Sequence, residues 1–295
     1  MNLRIFSISA SWALSLLFNF SGRAAEIIDD DGQFVRLEKP ASRIISLAPS
    51  LTELVYAAGA GDKLVGVVDY SDYPPQADLL PVVGRFNLLD VERIVELQPD
   101  LIIAWRSGNP RSSISQLKNL GLTVYIAEPK NLTSIANHIY KLSVLTGTQE
   151  EAKSTIQEFN RTYEELRTQY SNRAKIKTFY QVWDKPIITV GGNELINDII
   201  ELCGGENIFK EIQLVAPKID QESVLIRNPA VIIASGSNTE RPKWLDDWKR
   251  WPDLTAVTEG NLFFIIPELL QRHTPRALIG ATQMCTYIER AREIR

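Results

Sequence analysis

The chain has 295 residues, of which 44% are hydrophobic, so it is long enough to bury the cores of two compact lobes. Its 32 Lys and Arg residues nearly balance its 36 Asp and Glu residues, which leaves a formal net charge of -4. So balanced a charge gives no reason to expect a nucleic acid or an anionic membrane surface as a partner.

Residues 1–24 are typical of a secretory signal peptide. Arg4 supplies a positive charge, residues 5–20 are mostly apolar, and Gly22-Arg23-Ala24 places small residues at the two positions that a signal peptidase inspects. A retained membrane anchor is the alternative, but the run is short for a span of about 20 apolar residues and polar residues interrupt it. No cysteine stands at the cleavage point, which argues against a lipid anchor. We therefore expect a freely soluble exported protein, most naturally in a Gram-negative periplasm.

Residues 25–147 are predicted to form an N-terminal lobe in which strands and helices alternate. A hairpin is expected over Ile27–Leu37, with its turn at Asp31-Gly32. The predicted strands are Ile44–Ala48, Leu64–Val68, Leu101–Ala104 and Val124–Ala127. The predicted helices are one with its N-cap at Ser50 or Thr52, followed by Glu92–Leu97, Ser113–Leu120 and Leu132–Leu145. Because the strands are continuous apolar runs, we expect a parallel sheet that is covered on both faces.

A long helix is predicted from Thr148 to about Tyr170, in an inter-lobe segment that spans residues 148–171. Thr148 and Glu151 have the spacing of a capping box, in which a hydroxyl and a carboxylate satisfy backbone N–H groups reciprocally. Apolar residues then recur three or four positions apart, with charged residues on the other face. At about 1.5 Å per residue the helix spans on the order of 35 Å, the width of a small domain, so it could connect two lobes.

Residues 172–295 are predicted to form a C-terminal lobe with the same plan. The predicted elements are strands Thr178–Val182, Val231–Ala234 and Leu262–Ile266, helices Leu195–Leu202, Glu222–Ile226 and Trp244–Trp251, and a last helix that begins at Thr274 as N-cap and Pro275 and ends near Arg292. Segment 222–235 repeats the Glu, Pro and Ile-Ile-Ala positions of segment 92–105 in register. Two similar lobes are the hypothesis, and a chance recurrence of helix-Pro-strand units is the alternative.

The chain has two cysteines, Cys203 and Cys285, both on predicted helices of the C-terminal lobe. An even pair in an oxidising compartment favours a structural disulfide, and two separately buried thiols are the alternative. A redox or metal role would need close Cys-x-x-Cys spacing, which the sequence lacks.

The residues that follow the predicted strands indicate where a ligand would bind. In open parallel sheets ligands bind outside the carboxyl ends of the strands. The residues at those ends are Pro49, Tyr70 to Tyr73, Trp105-Arg106 and Glu128-Pro129 in the first lobe, and Trp183-Asp184, Ser235-Gly236 and Glu268 to Arg272 in the second. Aromatic and polar groups in one cleft suit a large ligand that is partly apolar and partly hydrogen-bonding. The alternative is that Tyr70 and Trp105 are core aromatics.

No catalytic or metal site is predicted. The sequence has no Gly-x-Ser-x-Gly elbow, and Gly59-Ala60-Gly61 follows a helix where a dinucleotide fingerprint follows a strand. Of the two histidines, we expect His138 to be a surface or packing residue and His273 to help begin the last helix. Two histidines on separate lobes do not supply the converging ligands of a zinc or manganese receptor. Binding is therefore favoured over catalysis.

Four segments carry a resemblance to a known family. They are residues 44–59 (IISLAPSLTELVYAAG), 70–76 (YSDYPPQ), 92–106 (ERIVELQPDLIIAWR) and 203–209 (CGGENIF). Together they resemble the periplasmic cobalamin-binding proteins of ABC importers, over nearly all of the chain after residue 24. Those proteins belong to a helix-linked class that also includes haem and ferric-siderophore receptors. The resemblance implies an α/β fold of two Rossmann-like lobes with mostly parallel sheets, joined by one long α-helix, with the ligand cleft between the lobes.

The resemblance also implies roles for individual residues. Ligand contacts would come from Tyr70, Phe86 and Trp105 in the first lobe and from Glu268, Leu269, Leu270, Gln271 and Arg272 in the second. Glu92 and Glu222 would dock into arginine pockets of the permease, and Cys203 and Cys285 would be bridged. The chain departs from the family at Phe86, where a tryptophan is frequent, and at Ala216, Leu269 and Leu270, where the family often has aromatic residues.

The function implied is that of a monomeric carrier that passes a corrinoid to an ABC permease, with no cofactor of its own. The runner-up is a haem or ferric-siderophore carrier, in which Tyr70 could bind iron. Less favoured alternatives are an exported hydrolase that depends on Asp184 or Glu268, and a surface adhesin.

Overall fold

The computed structural model describes residues 25–237 and 239–295. The predicted signal peptide, residues 1–24, lies outside the described residues. Within the described part of the chain, no helix combines the length and the apolar character needed to cross a bilayer.

The strands are β1 Ala25–Ile28, β2 Phe34–Leu37, β3 Ile44–Ser46, β4 Leu64–Val67, β5 Gly84–Arg85, β6 Leu88–Leu89, β7 Leu101–Trp105, β8 Val124–Ala127, β9 Ile176–Gln181, β10 Trp183–Asp184, β11 Ile187–Ile188, β12 Gly205–Asn207, β13 Lys218–Ile219, β14 Val231–Ala234 and β15 Leu262–Phe264. The α-helices are α1 Pro49–Ala57, α2 Val91–Glu96, α3 Arg111–Asn119, α4 Leu132–Thr146, α5 Gln149–Tyr170, α6 Leu195–Leu202, α7 Gln221–Arg227, α8 Thr255–Thr258 and α9 Ala277–Glu293. Short 3-10 helices cover Gly61–Lys63, Pro75–Leu79, Lys243–Arg250 and Pro267–Leu269.

Two four-stranded parallel sheets confirm the α/β class and the two-lobe plan. The first has the order β4-β3-β7-β8 and the second has the order β12-β9-β14-β15. In each sheet, the strand that comes second in the sequence lies at one edge, next to the strand that comes first. The strands that come third and fourth in the sequence lie on the other side of that first strand. The two lobes therefore share one topology, as the repeat in the sequence predicted. The edge strand β12 was not predicted, because its Gly-Glu-Asn sequence has no apolar run.

Successive residues of the central strands face opposite sides of each sheet and belong to different cores. In β7, Leu101 and Ile103 lie in one apolar cluster, whereas Ile102 and Ala104 lie in another. The same alternation holds in β14, where Ile233 faces the first cluster and Ile232 a third. The first cluster includes residues from both lobes, so the lobes are joined by a continuous apolar core.

Helix α5 lies along this shared core. It buries Ala152, Phe159 and Leu166, and it packs against α4 of the first lobe and against α6 and α9 of the second. Its start differs from the prediction, because the Thr148 side chain makes no cap hydrogen bond and the capping box with Glu151 does not form. Thr148 is buried, and its hydroxyl donates instead to the carbonyl of Ala58 at the end of α1, 2.5 Å away. This contact ties the start of α5 to the first lobe.

Two other helix starts also differ from the prediction. Helix α1 begins at Pro49 with Ala48 as its N-cap and no side-chain cap. The Thr52 hydroxyl, expected there, donates to the Ser46 hydroxyl at 3.0 Å. Helix α9 begins at Ala277, after the predicted Thr274, whose hydroxyl is buried with no hydrogen-bond partner among the described residues. The segment predicted as helix Trp244–Trp251 forms the 3-10 helix Lys243–Arg250.

His138 is a packing residue of the first lobe, in accord with the prediction. Its side chain is 2% exposed, its Nε2 lies 3.0 Å from an Asp30 carboxylate oxygen, and its Nδ1 lies 2.6 Å from the Tyr125 hydroxyl. Burial alone would raise the pKa of Asp30, but the hydrogen bond and charge of His138, with the Glu128 N–H and Lys141, lower it to about 2. These contacts attach the β1–β2 hairpin to the sheet.

Cys203 and Cys285 form a disulfide, which settles the alternative that the sequence left open. Cys203 is the C-cap residue of α6 and Cys285 lies within α9, and both are fully buried. The bond joins two helices on one side of the second sheet and closes a sequence separation of 82 residues.

Replacing both cysteines, in Cys203→Ala/Cys285→Ala, is expected to lower the free energy of unfolding by about 2–4 kcal/mol, because the unfolded chain loses its cross-link. Urea unfolding monitored by circular dichroism measures the loss. Wild-type protein under strong reductant is the matched control and should approach the variant. Equal unfolding midpoints for oxidised wild type and the variant would contradict this expectation.

Candidate functional site

A cleft of about 810 Å³ lies between the two lobes, at the carboxyl ends of both parallel sheets. Trp105 ends β7, Glu128 and Pro129 follow β8, and Val182 follows β9, so the strand-end rule located part of the lining. The remaining lining includes residues of helix α6 and of the segment that precedes it. In full, the cleft is lined by Trp105, Ser107, Glu128, Pro129, Lys130, Asn131, Val182, Val190, Gly192, Asn193, Glu194, Ile196, Asn197, Asp198, Glu201, Val215, Ala216, Gln271 and His273.

Trp105 forms the aromatic side of the cleft, and Phe86 packs beside it. Their ring centroids lie 5.8 Å apart with a tilt of 48°, and only Trp105 reaches the cleft lining itself. Asn109 joins the segments that carry Trp105 and Phe86, because its side chain accepts from the Trp105 N–H at 2.6 Å and donates to the Phe86 carbonyl at 2.7 Å. Gly108 is required here, since a Cβ at this position would lie 1.8 Å from the Trp105 indole. The indole is therefore held in place by its own loop.

Tyr70 lies near the cleft but not in its lining. Its backbone is left-handed, with φ of 64°, and its side chain is 74% exposed. A non-glycine residue in this region is strained and needs its surroundings to hold it. Its carbonyl accepts a hydrogen bond from the Arg272 guanidinium at 3.2 Å, which supplies such a support from the opposite lobe.

Arg272 belongs to an ion-pair network between the lobes, here called the clamp, which consists of Glu53, Asp72, Arg272 and Arg276. Glu53 of α1 is 4% exposed and accepts from Arg276 at 2.7 and 2.9 Å and from Arg272 at 3.1 Å. Arg272 also donates to Asp72 at 2.6 and 3.3 Å. The Arg276 guanidinium stacks 3.9 Å from the Tyr73 ring centroid. Arg272, predicted as a ligand contact, lies outside the cleft lining and makes contacts that hold the two lobes together.

The clamp shifts the pKa values of its own members. Burial acts to lower the pKa of the Arg272 guanidinium, but hydrogen bonds and charge interactions with Asp72 and Glu53 raise it above its usual value. Burial likewise acts to raise the pKa of Asp72, and Arg272 outweighs this effect and lowers it. Both groups are therefore held in their charged forms.

The other predicted residues of the second lobe lie in three different places. Gln271 lines the cleft and donates to the Ser235 hydroxyl at 3.1 Å. Glu268 lies outside the lining, with one carboxylate oxygen buried. Leu269 and Leu270 are 6% and 0% exposed and lie in the shared core, so neither presents its side chain to the cleft. The cause is the close contact with α9, since a Cβ at Gly280 would meet the Leu269 carbonyl at 2.6 Å.

Helix α6 forms a wall of the cleft that the sequence analysis missed. Four polar residues on it or at its start line the cleft: Glu194, Asn197, Asp198 and Glu201. Their spacing of three, four and seven residues places them on one face, opposite the apolar residues that the helix buries. The signal was present in the sequence, but the strand-end rule examines strands and not helix faces.

The α6 wall is also joined to the first lobe. The Asp198 carboxylate accepts from the Leu132 N–H at the start of α4, 2.9 Å away. Burial raises the pKa of Asp198, helped by the charge of Glu201, although the Leu132 N–H opposes it. His273 lies at the same wall, with its Nε2 3.4 Å from a Glu194 carboxylate oxygen. The prediction that His273 helps begin the last helix is therefore wrong, because α9 begins four residues later, at Ala277.

Glu92 and Glu222 occupy equivalent positions in the two lobes. Each is exposed and lies in the first turn of a short helix, α2 or α7, two residues after an aspartate. Asp90 and Asp220 cap these helices, accepting from backbone N–H groups at 2.9 and 2.6 Å. Among the described residues, no three His, Cys, Asp or Glu side chains come together as a possible metal site.

Replacing Glu53 with Gln is expected to lower the free energy of unfolding by about 3 kcal/mol, because it leaves two arginines facing a neutral amide in a buried site. Thermal and urea unfolding measure the effect. The control is Glu96→Gln, which breaks the exposed Arg93–Glu96 pair and should cost less than about 0.5 kcal/mol. If the two substitutions cost the same, the clamp does not hold the lobes.

Comparison with known proteins places this fold and cleft among binding proteins. A family model described as periplasmic binding protein matches residues 44–269. The chain is 40% identical over 255 residues to the vitamin B12-binding protein of Vibrio cholerae serotype O1, covering 86% of this chain and 91% of that one.

Solved structures of periplasmic binding proteins also match this chain. The crystal structure of the periplasmic vitamin B12 binding protein of Vibrio cholerae matches with a TM-score of 0.78 and 40% identity, over 86% of this chain and 98% of that one. The periplasmic heme binding protein of the same organism matches with a TM-score of 0.72 and 22% identity, over 83% and 97%, which shows a common fold.

Proposed function

This chain belongs to the periplasmic binding protein family, and we propose that it captures cobalamin or a related corrinoid in the inter-lobe cleft. It then delivers the corrinoid to the permease of an ABC transporter, with no covalent change to the ligand. The corrinoid is cargo and not a cofactor of the protein. The observation that carries the proposal is the cleft at the ends of both sheets, in a chain 40% identical to a vitamin B12-binding protein over most of both lengths.

The chemistry of the lining supports a large flat ligand of mixed character. Trp105 offers an aromatic face, and Phe86 packs beside it. The cavity of about 810 Å³ is as large as the sites that hold cofactor-sized molecules. Tyr70 extends the contact surface at the rim of the cleft, and Gln271 extends it on the second lobe.

The lobes and their connection support a carrier with a preformed cleft. We propose an N-terminal lobe of residues 25–147, an inter-lobe helix segment of 148–171 and a C-terminal lobe of 172–295. Because α5 packs on both lobes and the clamp bridges them, only modest opening accompanies binding. Residues 1–24 act as a signal peptide for export to the periplasm, where the protein works as a monomer.

Binding is expected to depend on Trp105. Calorimetry with cyanocobalamin should give a saturable heat, and Trp105→Ala should weaken the affinity about tenfold through loss of ring contact and buried area. Phe34→Ala, which removes an exposed aromatic from the hairpin, is the control and should leave the affinity unchanged. Heat with haemin or a ferric siderophore, and none with cyanocobalamin, would replace the corrinoid proposal with the runner-up.

Delivery is expected to depend on Glu92 and Glu222, whose matching positions support a role as paired docking charges. The variant Glu92→Arg/Glu222→Arg should retain cyanocobalamin affinity and lose uptake, because charge complementarity sets register and association with the permease. The measurement is cobalamin-dependent growth of a host that lacks its own binding protein and carries the cognate permease. Glu165→Arg on the exposed face of α5 is the control, and uptake that persists in the double variant would refute the docking role.

A further inference from the structure

The α6 wall of the cleft carries more hydrogen-bond acceptors than donors. Glu194, Asp198 and Glu201 each contribute a carboxylate, and Glu128 adds a fourth from the first lobe. Some of these oxygens are occupied by the protein itself, since Glu194 accepts from the Ile196 N–H at 2.6 Å and Glu128 accepts from Ser107 at 2.8 and 2.9 Å. Each carboxylate has capacity for further donors, because its two oxygens have about four lone-pair sites.

Asn197 adds an acceptor that nothing in the described protein satisfies. Asn197 has a relative exposure of 6%, and its Oδ1 is enclosed and has no hydrogen-bond partner among the described residues. Its Nδ2 donates to the Gly192 carbonyl at 3.1 Å and to Glu201 at 3.2 Å. These two acceptors fix the orientation of the amide, because a carbonyl oxygen could not face both of them. This enclosed oxygen adds to the excess of acceptors in the wall, and the carboxylates of the lining are the acceptors that a ligand donor can meet.

The cations near the cleft do not neutralise this wall. Arg272 and Arg276 are committed to Glu53 and Asp72 in the clamp, and Arg106 pairs with Asp31 at 2.9 Å. The charged residues of the lining are thus four carboxylates and Lys130, with His273 as a titratable neighbour of Glu194. The net field in the cleft is negative, and its low-dielectric walls strengthen it.

We infer that the α6 wall and Glu128 select ligands whose edge donates hydrogen bonds and carries no carboxylate. This inference rests on the proposed function and narrows the class of ligand. Carboxamide groups, which a corrinoid carries around its ring, donate N–H groups to these acceptors. A carboxylate in the same place would face acceptors it cannot bond to and charges that repel it. A flat tetrapyrrole with acid side chains is thereby excluded by charge, although it fits the aromatic side.

The test compares cyanocobalamin with its monocarboxylic acids, in which one peripheral propionamide has been hydrolysed, so that ring shape is kept and a single charge is changed. Titration calorimetry at neutral pH and low salt should show the weakest-bound isomer at least about tenfold weaker than cyanocobalamin. In Glu194→Gln/Glu201→Gln the difference should fall below about threefold, because two of the repelling charges are gone. Glu165→Gln on α5 changes the charge away from the cleft and should keep the full difference.

The outcomes separate the two proposals. If wild-type protein binds cyanocobalamin and all monocarboxylic acids within twofold of one another, selection by the wall is refuted and corrinoid binding stands. If the difference exists but survives unchanged in Glu194→Gln/Glu201→Gln, the wall is not its cause and the inference is also refuted. If cyanocobalamin itself gives no heat, both proposals are refuted together.

Discussion

The structure depends on one buried carboxylate that two arginines share across the lobes. Glu53 is 4% exposed, and a charge so placed is unfavourable unless its oxygens are fully paired. Arg272 and Arg276 pair it, and both come from the other lobe. The donors of each guanidinium form a planar fork, so the pairing fixes how the arginines are oriented against the carboxylate. The lobes can separate only by breaking this network, so the clamp sets the position at which they meet.

The shared apolar core also stabilises the arrangement of the two lobes that the clamp sets. Phe159 and Leu166 of α5 belong to a core that includes residues of both sheets, so that moving one lobe against the other would expose apolar surface. The cleft therefore lies between two bodies fixed at the clamp and along α5. A site fixed in advance loses less conformational entropy on binding, which favours affinity for a rigid ligand.

The sequence predicted the features that depend on local pattern. Apolar runs located β8, α6 and β14 at their true bounds, and the two sheets, the long helix and Trp105 at a strand end followed from the same reasoning. What it could not supply were contacts between distant residues. Thr148 forms no capping box because Ala58, 90 residues earlier, offers its hydroxyl a better partner. Arg272 and Leu270 were placed at the ligand by position in the chain, whereas Glu53 and α9 decide where their side chains lie.

The use of arginines between the lobes also affects recognition. The clamp takes Arg272 and Arg276, two cations that lie between the lobes. The lining that remains among the described residues has carboxylates, one lysine, one histidine and an aromatic side. An indole face accepts almost any flat ring, so Trp105 alone cannot distinguish between flat ligands of different charge. The distinction must come from polar atoms at the ring edge, and on this chain those atoms are mostly acceptors. The same ion pairs that fix the lobes thus leave the cleft negative, which links the stability of the fold to the choice of ligand.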